Sequence, residues 1–124
     1  MPKRVLDVGQ CDPDHGTIRN YLSQHFDVLV DRAKLPAEAL SKLRAGAYDL
    51  VLVNRKLDED YSDGLEIIKS IKADPAIAAV PVMLVTNYPD QQDVAVSAGA
   101  IRGFGKLEYQ KPETREKLAA VLGG

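Results

Sequence analysis

Cysteine is nearly missing from this chain: Cys11 is the one thiol. A single thiol closes no internal disulfide and builds no zinc cluster, and it suits a reducing compartment. Dense runs of Lys and Arg are missing too, and the formal net charge is -2. General nucleic-acid binders and membrane-surface binders need a basic face to meet phosphates, so neither partner is expected. No apolar run approaches the roughly 18 residues that would span a bilayer, and no cleavable signal is read before the first apolar segment. The cytoplasm is the expected compartment. Linkers, repeats and low-complexity stretches are wanting as well, so residues 1–124 read as a single domain. Hydrophobic residues make up 45% of the chain and charged residues 27%, enough to bury a real core.

Enzyme signatures are equally sparse. Gly9-Gln10-Cys11-Asp12 after the first apolar run matches neither the dinucleotide fingerprint nor the Walker loop. A Ser- and Thr-rich flavin loop and a Ser-His-Asp set are both lacking. The run Asp58-Glu59-Asp60-Tyr61-Ser62-Asp63 looks like a calcium loop only superficially. Asp63 stands where that loop needs glycine and Lys69 where it needs a bidentate Glu, so a solvated acidic loop is expected. No catalytic residue, cofactor or metal site is assigned.

What the chain does have is a five-fold alternation of short apolar runs and longer helical patterns. Strands are expected at Val5–Val8, Val28–Val30, Leu50–Val53, Val80–Val85 and Ile101–Phe104. Between them, Ile18, Leu22 and Phe26 lie four apart on one helical face after Asp12-Pro13-Asp14. Pro36 opens a second helix with Leu40 and Leu43 on its stripe, ending near Gly46. Leu65, Ile68 and Ile71 mark a third, and Gln91–Ala98 a fourth that Gly99 closes with a left-handed cap. Pro112–Leu122 is the last. The third and fourth strands are apolar at every position, as strands covered on both faces should be. The pattern implies a three-layer α/β sandwich, a parallel sheet with right-handed crossovers and helices on both faces. Such sheets work at the carboxyl ends of their strands. Gln10, Cys11, Asn54, Thr86 and Lys106 fall there.

Asp49 to Val53, Asp63-Gly64, Pro81 to Thr86, Ser97-Ala98-Gly99-Ala100 and Lys106 together resemble a response-regulator receiver domain, over nearly the whole chain. The resemblance implies a doubly wound (βα)5, flavodoxin-like fold with strand order 2-1-3-4-5. In that family an aspartate ending the third strand accepts a phosphoryl group from a histidine kinase. An acidic pair after the first strand binds Mg²⁺, a Ser or Thr ends the fourth strand, and a Lys follows the fifth. Thr86 and Lys106 match that pattern, whereas the acceptor position holds Asn54 and the acidic pair corresponds to Gln10 and Cys11, with Asp12 one step beyond. The aromatic switch position falls on Gly103, next to Phe104, and the proline usual after the Lys is Leu107. The stretch from Asn54 to Asp63 is longer than the family's loop. The expectation is a pseudo-receiver that has lost aspartyl phosphorylation and acts by binding a protein partner of a signalling pathway, a second copy of itself included. The family's usual contact surface implies Gln92, Val96, Arg102, Leu107, Tyr109 and Arg115 as the partner-binding residues. The other reading is a sensor binding an anion or mononucleotide near Asn54, Thr86 and Lys106.

Several residues carry two readings. Lys106 is an anion receptor or, more commonly for such a lysine, bonds a carbonyl or the Asn54 amide oxygen. Thr86 is expected in capping and turn chemistry. Cys11 has no basic neighbour in sequence and reads as an inert, largely buried thiol. His15 and His25 read as surface residues. Asp7, a carboxylate inside an apolar strand, is either buried and neutral or a sign that the strand register is displaced by one.

Overall fold

The computed structural model describes residues 2–123. The chain alternates β1 (Lys3–Val8), α1 (Asp12–His25), β2 (Val28–Ala33), α2 (Pro36–Ala45) and β3 (Leu50–Asn54). It continues through α3 (Gly64–Ala73), β4 (Val82–Val85), α4 (Pro89–Ser97), β5 (Ile101–Phe104) and α5 (Pro112–Leu122). All strand pairs are parallel and the order is β2-β1-β3-β4-β5, as expected.

The apolar strands divide their side chains between two cores by simple alternation. Val51 and Val53 of β3 face a core with Ala39 and Leu43 of α2, Ile67, Ile68 and Ile71 of α3, and Ala95 of α4. Leu50 and Leu52 face the opposite core, with Ile18 and Leu22 of α1 and Leu118 and Leu122 of α5. Both faces of the central strands are therefore dry, which is why they show no polar alternation.

Several boundaries differ from expectation: β1 begins at Lys3 and β4 at Val82, and two other shifts have a clear cause. β2 runs on through Asp31, Arg32 and Ala33, pairing with β1 as far as Val8↔Ala33. Its polar end is tolerated because β2 is an edge strand and Asp31 is satisfied by Arg4 (2.8 Å) and the Tyr48 hydroxyl (2.6 Å). α4 begins at Pro89, two residues early, because proline suits the first helical turn. Gly99 ends that region at φ 106°, a conformation glycine adopts at little cost.

β4 and β5 are not in simple register. Met83 pairs with Ile101 and Val85 with Phe104, so Leu84 faces two residues, Arg102 and Gly103, across a β-bulge. Gln92 of α4 fills the hydrogen-bonding gap. Its Nε2 donates to the Leu84 carbonyl (2.9 Å) and the Thr86 carbonyl (3.3 Å), and its Oε1 accepts from the Gly103 N–H (2.9 Å). Gly103 is forced by space, since a Cβ there would lie 2.2 Å from the Leu84 oxygen.

Candidate functional site

The crevice lies where β1, β3, β4 and β5 end, and the candidate residues Gln10, Cys11, Asn54, Thr86 and Lys106 all stand at or just beyond those ends. Asn54 is the last residue of β3, and its Nδ2 donates to the Gly9 carbonyl at 3.2 Å. Gly9 itself sits at φ 80°, and the buried Leu57 of the following loop packs where its Cβ would be, at 2.4 Å. That loop is folded back on the crevice: the Asp58 N–H donates to the Gly9 carbonyl and Lys56 bridges to Asp63. Asp58, Glu59 and Asp60 point into solvent. Gly64 lets α3 start against Asn54, whose carbonyl oxygen would lie 2.1 Å from a Cβ there.

Lys106 does not take the carbonyl or amide partner expected of it. Its Nζ pairs with the Asp14 carboxylate of α1 at 2.7 Å, and neither a backbone carbonyl nor the Asn54 amide is its partner. The bond holds the Asp14 carboxyl below the usual carboxylate range. Thr86 is buried and its hydroxyl oxygen accepts from the Tyr88 N–H at 3.3 Å, the turn chemistry expected of it. Cys11 precedes α1 and is half-buried, more accessible than expected. Hydrogen bonding to the Asp14 backbone pulls its thiol down, but burial and the Asp14 carboxylate prevail and push it up. A raised thiol pKa leaves little thiolate at neutral pH.

Gln10 does not face the crevice as an accessible ligand. It is 2% exposed, and neither amide atom has a partner among the described residues. Asp12 is exposed, and Arg32 holds one of its oxygens at 2.7 Å and its pKa below the ordinary value. The same guanidinium donates to the Gln10 carbonyl at 3.0 Å. The Mg²⁺ that the receiver resemblance implies wants several charged oxygens in near-octahedral array. Here the pair is an amide and a thiol, Asp12 is already neutralised by Arg32, and Asp14 by Lys106. Among the described residues no three of His, Cys, Asp or Glu converge as a metal-holding group. The donor set does not fit the ion.

Asp7 has the partner that sequence could not name. It is fully buried, and its Oδ2 lies 2.6 Å from Nδ1 of His15, which is packed against it and is not the surface residue expected. The strand register is in order, with Asp7 opposite Arg32. Burial raises the Asp7 carboxyl to about 6, although His15 and Arg32 oppose the shift.

Of the residues expected to meet a partner, Leu107 is 82% exposed, and Val96, Arg102 and Arg115 are also on the surface. Arg102 reaches Asp93 at 2.7 Å. Gln92 is corrected to a buried staple of the bulge, and Tyr109 to a half-buried ring packed against Tyr21 (5.0 Å) and Phe104 (5.8 Å). Phe104 is itself 1% exposed inside the α1 and α5 core, so it supplies no surface aromatic in place of Gly103. Sequence reasoning missed Asp14, His15 and Arg32. Asp14 reads like any acid in a first helical turn, and nothing local ties it to a lysine 92 positions away.

The sheet order and this crevice define a receiver-type module, and the family comparison agrees. Residues 13–122 match the response regulator receiver domain, and the chain belongs to that family. It is 34% identical over 126 residues to the transcriptional regulatory protein ZraR of Klebsiella oxytoca, covering 98% of this chain but 26% of that protein. It is 28% identical to the chemotaxis protein CheY1 of Helicobacter pylori, covering 97% of each. The chain thus spans about a quarter of the first relative and nearly all of the second. The signal receiver domain of a DNA binding response regulator (merR) from Colwellia psychrerythraea 34H superposes with a TM-score of 0.82 at 21% identity, over 98% of this chain and 99% of that one. The phosphorylated cyanobacterial phytochrome response regulator RcpA gives 0.78 at 20% identity, over 99% and 96%. Those two likenesses speak to fold alone.

Proposed function

We propose that residues 1–124 form a receiver unit that has lost aspartyl phosphorylation and signals in the cytoplasm by binding a protein partner. The observation that carries this reading is Asn54 at the acceptor position, tied by its amide to the Gly9 carbonyl. An amide nitrogen has its lone pair delocalised into the carbonyl, so it neither attacks a phosphoryl donor nor forms an acyl phosphate. Two further features support it. Gln10 and Cys11 give a metal no carboxylate, and Asp14 already neutralises Lys106. A phosphoryl group arriving at Asn54 would meet no carboxylate nucleophile there, and the Lys106 ammonium that would receive its charge is already paired with Asp14.

The small-anion reading is weaker, because Asn54, Thr86 and Lys106 each have a partner within the protein. The partner surface is the exposed part of α4, β5, α5 and the turn between the last two, where Val96, Arg102, Leu107 and Arg115 mix apolar anchors with guanidinium groups. Reversing charge at Arg102→Glu together with Arg115→Glu should weaken association, whether with a pulled-down partner or with a second copy in sedimentation. Asn54→Ala should leave it unchanged. Association that survives the double reversal, or that collapses with Asn54→Ala, counts against this reading.

A further inference from the structure

Between α1 and α5 lies a cavity of about 520 Å³, bordered by the turn that joins β5 to α5. It shares none of the strand-end candidates of the crevice. Its volume falls within the roughly 300–1,000 Å³ of small-molecule sites.

Aromatic rings make its wall. Tyr21 packs against His25 with centroids 4.7 Å apart and against Tyr109 at 5.0 Å, and Tyr109 leans on the buried Phe104 at 5.8 Å. Each of these pairs is tilted, so no ring covers the whole face of its neighbour. Tyr21, His25 and Tyr109 are half-buried and line the cavity. A ring already held by its neighbours loses little further freedom when a flat ligand stacks on it.

Charge at the rim is uneven. Arg115 and Lys111 line the cavity with one acid, Glu116. Lys111 lies 3.6 Å from Glu108, whereas among the described residues Arg115 pairs with no carboxylate. Successive residues on a helix do not face each other, so Glu116 does not neutralise Arg115. The guanidinium is close to the Tyr21 ring: burial pushes the Tyr21 hydroxyl pKa up, and Arg115 opposes that rise.

We propose that this cavity binds a small planar aromatic carboxylate, its rings stacked on Tyr21 and Tyr109 and its carboxylate held by Arg115. An aliphatic acid gains the charge contact without the stacking, and an uncharged aromatic gains the stacking without the charge. The inference goes beyond the partner-binding reading, because the occupant is a small molecule and α1 supplies part of its site.

The test uses the whole chain, ¹⁵N-labelled, titrated with 2-naphthoate, with its uncharged analogue 2-naphthamide and with cyclohexanecarboxylate. 2-Naphthoate should shift the amide signals of His25, Gln110, Arg115 and Ala119. A charge-assisted contact implies binding on the order of tenfold tighter than 2-naphthamide. Stacking implies a margin of at least about threefold over cyclohexanecarboxylate. Arg115→Gln should erase the preference for 2-naphthoate over 2-naphthamide, and Arg115 is exposed, so the change tests contact and not folding. No shift at these amides, equal binding of the acid and the amide, equal binding of the flat and the aliphatic acid, or a preference undiminished in Arg115→Gln would overturn the proposal. Adenosine 5′-monophosphate that displaces 2-naphthoate and binds tighter would make the occupant a nucleotide and overturn it too. So would shifts at the same amides when the chain alone is concentrated, since a second copy then fills the cavity. None of these signals depends on Asn54. Phosphorylation of the unmodified chain would therefore sink the phosphorylation-free reading and leave this one standing.

Discussion

A carboxylate deep in a parallel sheet loses the water that stabilises its charge, and Asp7 sits fully buried on β1 against His15. Its pKa rises from 3.8 to about 6, so the folded chain holds this proton more tightly than the unfolded chain does. The sign follows. Above about pH 6 the ionised form is the norm in both states and the full burial cost is present, on the order of 3 kcal/mol from the shift. As pH falls through 6 the folded state takes up a proton first, and stability from this group rises until the unfolded state also protonates near 4. Asp7→Asn should therefore stabilise the protein most above about pH 6, with the gain shrinking towards pH 4. Urea unfolding across that range measures it, and a gain independent of pH would mean that Asp7 does not titrate there. Sequence exposed Asp7 as an oddity because a charge in an apolar run is conspicuous. It hid His15, because a histidine in a first helical turn has no pattern that says which way it faces.

The strands and helices were legible to the extent that burial leaves a pattern. β3 and β4 read clearly because helices cover both their faces, and Ile68 and Ile71 on α3 read clearly because one face is dry. The polar half of β2 and the bulge in β5 left no such mark. An edge strand needs no apolar residues to continue pairing, and a bulge is visible only through the partners it leaves unpaired. Gln92 stands among Asp90, Gln91 and Asp93, and nothing in that polar run marks it as the buried one. Its amide serves three backbone groups of β4 and the β4–β5 junction. Gln92→Ala leaves the Gly103 N–H and the Leu84 carbonyl inside the protein without partners, at about 1–3 kcal/mol for each such group. Loss of about 2 kcal/mol or more is expected by chemical denaturation. A change under about 0.5 kcal/mol would mean the bulge closes without it.

For the molecule as a whole, the sheet is that of a receiver, and the crevice at its edge pairs Lys106 with Asp14. The amide proposed at the acceptor position and the uncharged residues proposed for the acidic pair could be read directly, since Asn54, Gln10 and Cys11 are single letters in a recognisable frame. The pairing could not be read, because Lys106 and Asp14 are 92 residues apart and meet only when β5 lies beside α1. That clamp sharpens what restoring the acceptor alone would achieve. Asn54→Asp supplies a nucleophile, but Lys106 must still leave Asp14, and among the described residues no group of three His, Cys, Asp or Glu converges to hold a metal against the charge of the incoming phosphoryl group. The decisive measurement is intact mass after incubation with acetyl phosphate and Mg²⁺, on the unmodified chain and on Asn54→Asp. The account predicts no phosphoryl adduct on the unmodified chain and little on Asn54→Asp. A stable adduct on the unmodified chain, carried by a residue such as Asp58, would contradict it.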